Sequence, residues 1–221
     1  MTPKSLPKKR VRTPPAPRWQ RRKESRPDEI INAALECFGE KGFNATLLDE
    51  VAVRAGIAKG TLYRYFESKE ELFRAVVRAN MVGEMSAAER EIATSPASSA
   101  ELLAALIQRM AERVASPVGV LPHVVFAEAA RFPDLARFYF DEVIARGLGL
   151  MELMIKRGMA SGEFRRVDAR SAAFCIIAPL ALQALVRHGL EPHARRTLGI
   201  KQLDTTLATV SVEGLLKRSS K

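Results

Sequence analysis

The segment that most constrains the fold holds two helix-start signals with one glycine between them. Thr46 with Asp49, and Ser68 with Glu71, each have the spacing of a capping box. Gly56 lies between the two boxes, at a point where a left-handed residue would end a helix. Few residues separate this glycine from the second box. The segment therefore has room only for a short helix, a tight turn and another short helix.

Helical periodicity continues on both sides of this segment. A first helix is predicted between Pro27 and a left-handed stop at Gly42, with apolar residues at steps of three and four: Ile31, Ala34, Leu35 and Phe38. A long helix is predicted from Ser68 to about Ala93. Prolines at 96, 117, 122 and 133 and the segment 161–163 divide the remainder. No segment alternates as a strand does, so the predicted class is all-α with about nine helices.

The net charge of +10 is concentrated at the N-terminus. Residues 1–27 hold ten lysines and arginines against Glu24 alone, together with six of the twelve prolines. So few apolar residues cannot offset the entropy of ordering, and residues 1–24 are predicted to form a disordered basic arm. Such an arm either contacts DNA phosphates and releases counterions, or serves only to keep the chain in solution.

The sequence lacks the residues that several classes of protein require. The three histidines show no metal-ligand spacing, and the sequence contains no HExxH, GxSxG, P-loop or GxGxxG motif. We therefore predict no enzyme, no metal site and no cofactor. Cys37 and Cys175 lie in apolar patterns that favour buried, inert thiols, although a thiol sensor stays open. The apolar stretch 172–186 is too short to span a membrane, so a cytoplasmic protein without membrane contact is expected.

The short helix after Gly56 has two distinct faces. Leu62 and Phe66 are placed to pack against the preceding helix at Val51, Ala52 and Ala55. The other face carries donors and aromatic rings and no carboxylate of its own: Lys59, Thr61, Tyr63, Arg64 and Tyr65. Such side chains suit the major groove of DNA, and Gly60 allows the helix start to approach a phosphate closely.

The runs AALECFGEKGFNAT (33–46) and GIAKGTLYRYFESKEELF (56–73) together resemble the DNA-binding domain of the TetR/AcrR family of bacterial regulators. The resemblance implies a helix-turn-helix domain over 25–75 that binds double-stranded DNA. It places on the recognition helix Lys59, Gly60, Thr61, Tyr63, Arg64 and Tyr65. It also implies that Tyr63 and Lys69 clamp the DNA backbone, and that Thr46 and Leu47 occupy positions before the second helix where phosphate is met.

Two positions depart from the family pattern. A second threonine is common where this chain has Leu47, which weakens the expected phosphate contact there. A polar cap is common before the recognition helix, where this chain has Ala58, so that helix is expected to start weakly.

The same resemblance implies that residues 76–221 form an effector-binding and dimerisation domain, and the stretch 125–139 is similar to the C-terminal domain of AefR-like regulators. Family members often hold a small-molecule site where such helices converge. The residues expected to line it are Met110, Phe126, Ala129, Phe138, Met154, Phe174 and Ile177. Each of them also fits an ordinary apolar core.

Dimerisation has support in the spacing of residues near the C-terminus. Ile200, Leu203, Leu207, Val210 and Gly214 follow steps of three and four, as in a coiled-coil seam. Together with Leu182, Leu185 and Val186 they would form a four-helix interface with a second copy, unless they pack within one chain. A two-fold dimer would place its recognition helices about 34 Å apart, which predicts a palindromic operator.

Two functions remain open at this point. One is a homodimeric repressor that a small apolar or amphipathic ligand releases from a palindromic operator. The other is a constitutive DNA-binding architectural or activator protein that needs no small-molecule effector.

Overall fold

The computed structural model describes residues 26–190 and 202–217, and all of the regular structure in these ranges is helical. The helices are α1 (Arg26–Ala45), α2 (Leu48–Arg54), α3 (Lys59–Tyr63), α4 (Lys69–Val77), α5 (Gly83–Thr94), α6 (Ser99–Ala115), α7 (Val120–Glu128), α8 (Pro133–Tyr139), α9 (Arg146–Ala160), α10 (Ala169–Gly189) and α11 (Leu203–Leu215). A 3₁₀ turn at Pro117–Gly119 precedes α7. The prediction of an all-α chain is confirmed. The predicted arm over 1–24 and Ile200 lie outside the described residues.

Two turns of π-helix join pairs of these helices into longer rods. Arg78–Val82, here π1, connects α4 to α5, and Phe140–Ala145, here π2, connects α8 to α9. The rod from Lys69 to Thr94 confirms the long helix predicted from Ser68, which is its N-cap and accepts a hydrogen bond from the backbone of Glu71. The Glu71 carboxylate reaches back to the backbone N–H of Glu67, one residue before the cap position of a regular capping box.

The predicted capping box at Thr46 is wrong. The N-cap of α2 is Leu47, and no side chain caps this helix. The Thr46 side chain is fully buried, and its hydroxyl donates to the carbonyls of Cys37 (3.1 Å) and Gly42 (2.7 Å). Gly42 has a φ of 76°, the predicted left-handed stop, and breaking the helix there leaves carbonyls that need a donor. The Thr46 hydroxyl therefore bonds to these carbonyls of α1 and does not cap α2.

The first hydrophobic core lies under α1–α4 and is closed by α7 and α8. At its centre the rings of Phe38, Phe43 and Phe73 lie within 5.2–5.7 Å of one another, measured between centroids. Phe132, from the loop between α7 and α8, meets the Phe43 ring at 4.9 Å. Because aromatic side chains bury large apolar areas, this cluster fixes the N-terminal helices firmly onto the rest of the molecule.

The second core lies among α5, α6, α9, α10 and α11. Its α5–α6 turn is held by Arg157, whose guanidinium donates to the carbonyls of Ile92 (2.7 Å), Ser95 (2.9 Å) and Ala97 (2.9 Å). The helix break predicted at Pro96 is confirmed, and α6 begins with a full capping box between Ser98 and Glu101. The two cores meet along the two rods, so the rods connect the N-terminal helices to the C-terminal ones.

Candidate nucleic-acid interface and effector cavity

The turn between α2 and α3 follows directly from Gly56. Its φ of 65° is easily adopted by glycine, and the turn closes through hydrogen bonds from Gly56 N to the carbonyl of Val53 (3.1 Å) and from Ile57 N to that of Ala52 (3.0 Å). The N-cap of α3 is Ala58, which provides no side-chain cap, as the sequence predicted. Helix α3 is short and depends on its packing for its position.

The inner face of α3 is fixed as predicted. Leu62 is fully buried and Phe66 is 8% exposed, and both belong to the first core together with Val51 and Ala52 of α2. Lys59, Gly60, Tyr63 and Arg64 are exposed, whereas Thr61 and Tyr65 are half-buried. Tyr65 packs against the first core. The outer face available to a partner is therefore formed mainly by Lys59, Tyr63 and Arg64.

An acidic residue that the sequence argument assigned to a cap lies beside this face. The Lys59 ammonium is 2.7 Å from the Asp49 carboxylate of α2, and this hydrogen bond raises the pKa of Lys59. The same ammonium lies 5.8 Å from the centre of the Tyr63 ring. Both charged side chains are more than half exposed, so the ion pair is weak and a phosphate or a base edge can replace the carboxylate.

Lys69, a predicted clamp of the DNA backbone, makes its contacts within the chain. Its ammonium donates to the carbonyls of Asn44 (2.8 Å) and Thr46 (3.0 Å) and lies 4.9 Å from the centre of the Phe43 ring. Burial lowers the pKa of Lys69. These contacts tie the end of α1 to α4, and they leave one ammonium hydrogen for an outside partner.

The two predicted contact positions before α2 differ in exposure. Thr46 presents no side-chain surface, because its hydroxyl is directed inward, and its predicted contact with DNA is therefore corrected. Leu47 is 59% exposed and stands at the start of α2, where its apolar side chain can lie against a sugar or phosphate but cannot donate to it.

A cavity of about 300 Å³ opens between the Lys69–Thr94 rod, α6 and α9. Apolar side chains form most of its wall: Met81, Met85, Ala87, Ala88, Leu106, Met110 and Leu150. The other lining residues are Gly147 and four charged residues, Glu84, Glu91, Arg109 and Arg113. Of the residues predicted to bind a ligand, the structure brings only Met110 to this cavity.

The other six predicted ligand residues are dispersed. Met154 is buried in the second core, and Ile177 packs against that core. The centre of the Phe138 ring lies 5.3 and 5.2 Å from the guanidinium groups of Arg74 and Arg78. Phe126 and Phe174 are 52% and 62% exposed, and Ala129 is half-buried beyond the end of α7. Apolar periodicity identified the helices but did not show which of their faces meet.

The charged residues of the cavity were missed, although the sequence carries a signal for them. Arg109 and Arg113 are four residues apart on α6, and Glu84 and Glu91 are seven apart on α5, so each pair lies on one helix face. The two faces pair across the cavity, Arg113 with Glu84 and Arg109 with Glu91 (2.7 Å). Complementary charge spacing on two neighbouring helices would have been the signal.

Helix α10 presents an apolar face to solvent. Leu182 is 61% exposed, and Phe174, about two helical turns earlier, is 62% exposed. Leu185 and Val186 are half-buried. On α11, Val210 is 62% exposed and Leu203 is half-buried, whereas Leu207 packs on the second core. Helix α11 lies chiefly against α6. The predicted interface residues are thus divided between an exposed face and intramolecular packing.

By length and composition, α10 is the one described helix that could cross a membrane. It has 21 residues with a mean hydropathy of 1.7, and only 28% of its apolar window is buried. The apolar stretch 172–186, expected to be too short, is only part of this longer helix. A helix that forms a protein–protein interface has the same properties, since its apolar face is exposed in the single chain.

The described residues contain no group of three metal-ligating side chains. Cys37 is buried, and burial raises the pKa of its thiol, as expected for an inert cysteine. Cys175 is exposed on α10, so the expectation of burial is wrong for this residue.

Comparison with known proteins agrees with this architecture. Residues 30–76 match the sequence profile of "Bacterial regulatory proteins, tetR family", and residues 101–190 match that of the "AefR-like transcriptional repressor, C-terminal domain". The HTH-type transcriptional repressor KstR2 of Mycolicibacterium smegmatis is 30% identical over 143 residues, which are 64% of this chain and 68% of that protein. The chain belongs to the TetR family.

Two further proteins, one compared by sequence and one by structure, are similar to this chain over comparable lengths. The fatty acid metabolism regulator protein of Bacillus subtilis is 28% identical over 153 residues, covering 68% of this chain and 78% of the relative. The crystal structure of the transcriptional regulator FadR from B. subtilis in complex with stearoyl-CoA has a TM-score of 0.62 and 22% identity, covering 85% of this chain and 98% of that one. The latter likeness is one of fold.

Proposed function

We propose that this TetR-family protein is a sequence-specific DNA-binding transcriptional regulator, a homodimeric repressor that a small amphipathic ligand releases from a palindromic operator. The observation that carries the proposal is the outer face of α3. Lys59, Tyr63 and Arg64 are exposed there, on a helix whose other face is fixed by buried Leu62 and Phe66. Rigid presentation of donors and an aromatic ring suits the reading of a major groove.

Homodimerisation is supported by the exposed apolar face of α10, which carries Phe174 and Leu182. Large apolar side chains on a helix face of this length stabilise a soluble chain when a second copy covers them. Two-fold pairing would place two α3 helices on successive turns of one DNA face, so we propose a palindromic operator. A DNA target also implies a cytoplasmic location.

Release by an effector is supported by the cavity beside the rod that leads to the N-terminal helices. Its apolar wall and charged rim suit an amphipathic molecule, and the solved structure of B. subtilis FadR contains such a molecule, stearoyl-CoA. A constitutive architectural protein would have no use for a cavity at this position. We therefore favour the effector-responsive repressor over the alternative.

The test is a mobility shift with operator fragments taken from the DNA flanking the gene. We expect Lys59→Ala combined with Tyr63→Ala to weaken specific binding by about tenfold or more while the circular dichroism spectrum stays unchanged. Arg90→Ala, which removes one exposed positive charge on α5, is the matched control and should bind like the wild type. Equal binding by the double variant and the control would reject α3 as the DNA-binding element.

A further inference from the structure

Two ion pairs cross the cavity between α5 and α6, and they are not equivalent. Glu91 and Arg109 are both about half exposed, at 43% and 46%. In the other pair Glu84 is 67% exposed but Arg113 only 25%. The Arg113 guanidinium therefore lies deeper in the wall of the cavity than that of Arg109.

Arg113 also has an unused donor. Its Nη2 atom is buried and has no hydrogen-bond partner among the described residues, whereas Nη1 is held by the Glu84 carboxylate. A buried N–H group without an acceptor is unfavourable, so a small rotation of the guanidinium that brings Nη2 to an acceptor in the cavity is favoured. A carboxylate gains most, because it can accept two parallel hydrogen bonds from one guanidinium.

The position of Glu84 connects this site to the N-terminal helices. Glu84 stands in the first turn of α5, directly after π1, and so belongs to the rod that begins in the first core. Arg113 is in the last turns of α6, in the C-terminal part of the fold. Their ion pair holds the rod against α6 at the point where the π turn interrupts the regular helix.

We propose that Arg113 binds the carboxylate of an amphipathic acid whose apolar chain fills the cavity, and that this carboxylate replaces Glu84 on the guanidinium. The apolar chain would lie against Met81, Met85, Leu106 and Met110, and methionines adapt readily to chains of different shape. Loss of its partner frees Glu84 and loosens the rod from α6. This inference rests on the proposed function in naming the effector class and the contact through which binding reaches the N-terminal helices.

The sign of the ligand's charge follows from the exchange. A neutral alcohol or a cationic amine cannot take the place of one carboxylate on an arginine, whereas an acid can. Dodecanoate is therefore the probe, with dodecanol and dodecanoyl-CoA as comparisons that have the same chain and no carboxylate at its end.

Calorimetric titration of the full chain with dodecanoate tests the binding step. We expect Arg113→Met to weaken binding by about tenfold or more, and the matched Arg109→Met to change it by less than about threefold. Ala87→Trp, which places a ring at the exposed rim of the cavity, should also weaken binding. Dodecanol should bind more weakly than dodecanoate and should not respond to Arg113→Met.

Glu84→Gln keeps the inference testable even if Arg113→Met does not fold, since Glu84 is exposed. Removal of the competing carboxylate should tighten dodecanoate binding by at least about threefold, and Glu91→Gln should not. The inference is overturned if dodecanol or dodecanoyl-CoA binds as tightly as dodecanoate without dependence on Arg113. It is also overturned if Glu84→Gln leaves the affinity for dodecanoate unchanged.

Mobility shifts without ligand separate the two proposals. If the wild type binds no operator but binds dodecanoate through Arg113, the proposed function fails and the ligand assignment stands. If the wild type binds operator and dodecanoate neither binds nor releases it, the ligand assignment fails and DNA binding stands. Both proposals together require that dodecanoate release operator from the wild type and not from Arg113→Met.

Discussion

The hydroxyl of Thr46 shows how one buried donor can organise the N-terminal helices. It serves two carbonyls, those of Cys37 and Gly42, at the place where α1 breaks and the chain turns toward α2. The carbonyl of Thr46 in turn accepts from Lys69 on α4. Three helices are therefore joined through a single residue that the resemblance had assigned to phosphate.

We expect Thr46→Val to lower the free energy of unfolding by about 1–3 kcal/mol, because the shape is kept while the carbonyls of Gly42 and Cys37 lose the one hydroxyl proton that they share. Urea denaturation measures this loss. Leu47→Ala, at the exposed neighbouring position, should stay within about 0.5 kcal/mol of the wild type. A stable Thr46→Val protein with weakened operator binding would instead restore Thr46 as a DNA contact.

Exposed carboxylates give the same helices a dependence on pH. Glu40 accepts two hydrogen bonds from Arg54, at 2.6 and 2.7 Å, and Glu50 accepts one from Lys41 at 2.8 Å. These hydrogen bonds lower the pKa of both carboxyl groups. The unfolded chain therefore binds protons more readily than the folded one in the acid range.

We expect the stabilisation from these pairs to be complete above the usual carboxyl pKa and to be lost as the pH falls through the lowered values. Melting temperatures of the wild type and Glu40→Gln, followed from pH 7 to pH 3, measure it. The variant should melt lower at pH 7, and the two curves should converge in acid. A constant difference across this range would show that the Glu40 charge is not responsible.

At the scale of single elements, π1 interrupts a rod that would otherwise be a regular helix. A π turn shifts its backbone hydrogen bonds by one residue, so carbonyls at its edge need other donors. The side-chain amide of Asn80 donates to the carbonyl of Val76 at 2.8 Å, and the Ser86 hydroxyl donates to that of Val82 at 3.4 Å. These polar residues support the irregular turn.

We expect Asn80→Ala to lower the free energy of unfolding by about 0.5–1.5 kcal/mol, the usual net value of one hydrogen bond. Chemical denaturation monitored by circular dichroism measures it. Ala79→Ser, at the exposed adjacent position, is the control and should have a much smaller effect. An Asn80→Ala protein as stable as the control would mean that the π turn does not depend on this bond.

Local rules account for the elements that the sequence predicted correctly. Gly56 and Ser68 act within a few residues of themselves, through a left-handed φ and a hydrogen bond to Glu71, so the turn and the start of α4 could be located. The Thr46 hydroxyl instead bonds backwards, to the carbonyls of Gly42 and Cys37 in α1, four and nine residues earlier. A capping pattern cannot predict whether a buried carbonyl will compete for the same hydroxyl.

The candidate site, too, has a part that the sequence predicts and a part that it does not. The outer face of α3 was predictable because helical periodicity separates Leu62 from Lys59 and Tyr63. The Lys59–Asp49 ion pair and the cavity depend on how separate helices cross, which periodicity does not specify. Phe174 illustrates the limit, since an apolar residue predicted to line an interior site is 62% exposed on α10.

At the scale of the whole molecule, the main feature is the apolar face of α10, which is exposed to solvent in a single chain. We expect the wild type to be a dimer by light scattering after size-exclusion chromatography, and Leu182→Glu to shift it toward monomer, because a charge would be buried at the interface. Val53→Glu changes an 80% exposed residue of α2 and should leave the dimer intact. A wild-type monomer that still shifts operator would contradict the proposed assembly.

The two π turns face each other where the rods cross. The Tyr139 hydroxyl, just before π2, lies 3.8 Å from the Met81 sulfur of π1, and Arg78 pairs with Glu142 at 3.9 Å. Backbone amides of irregular helical turns open more easily than those of the α-helices around them. Native-state hydrogen exchange should therefore divide each rod into two slowly exchanging halves around a faster centre, and the two fast centres should lie side by side in space.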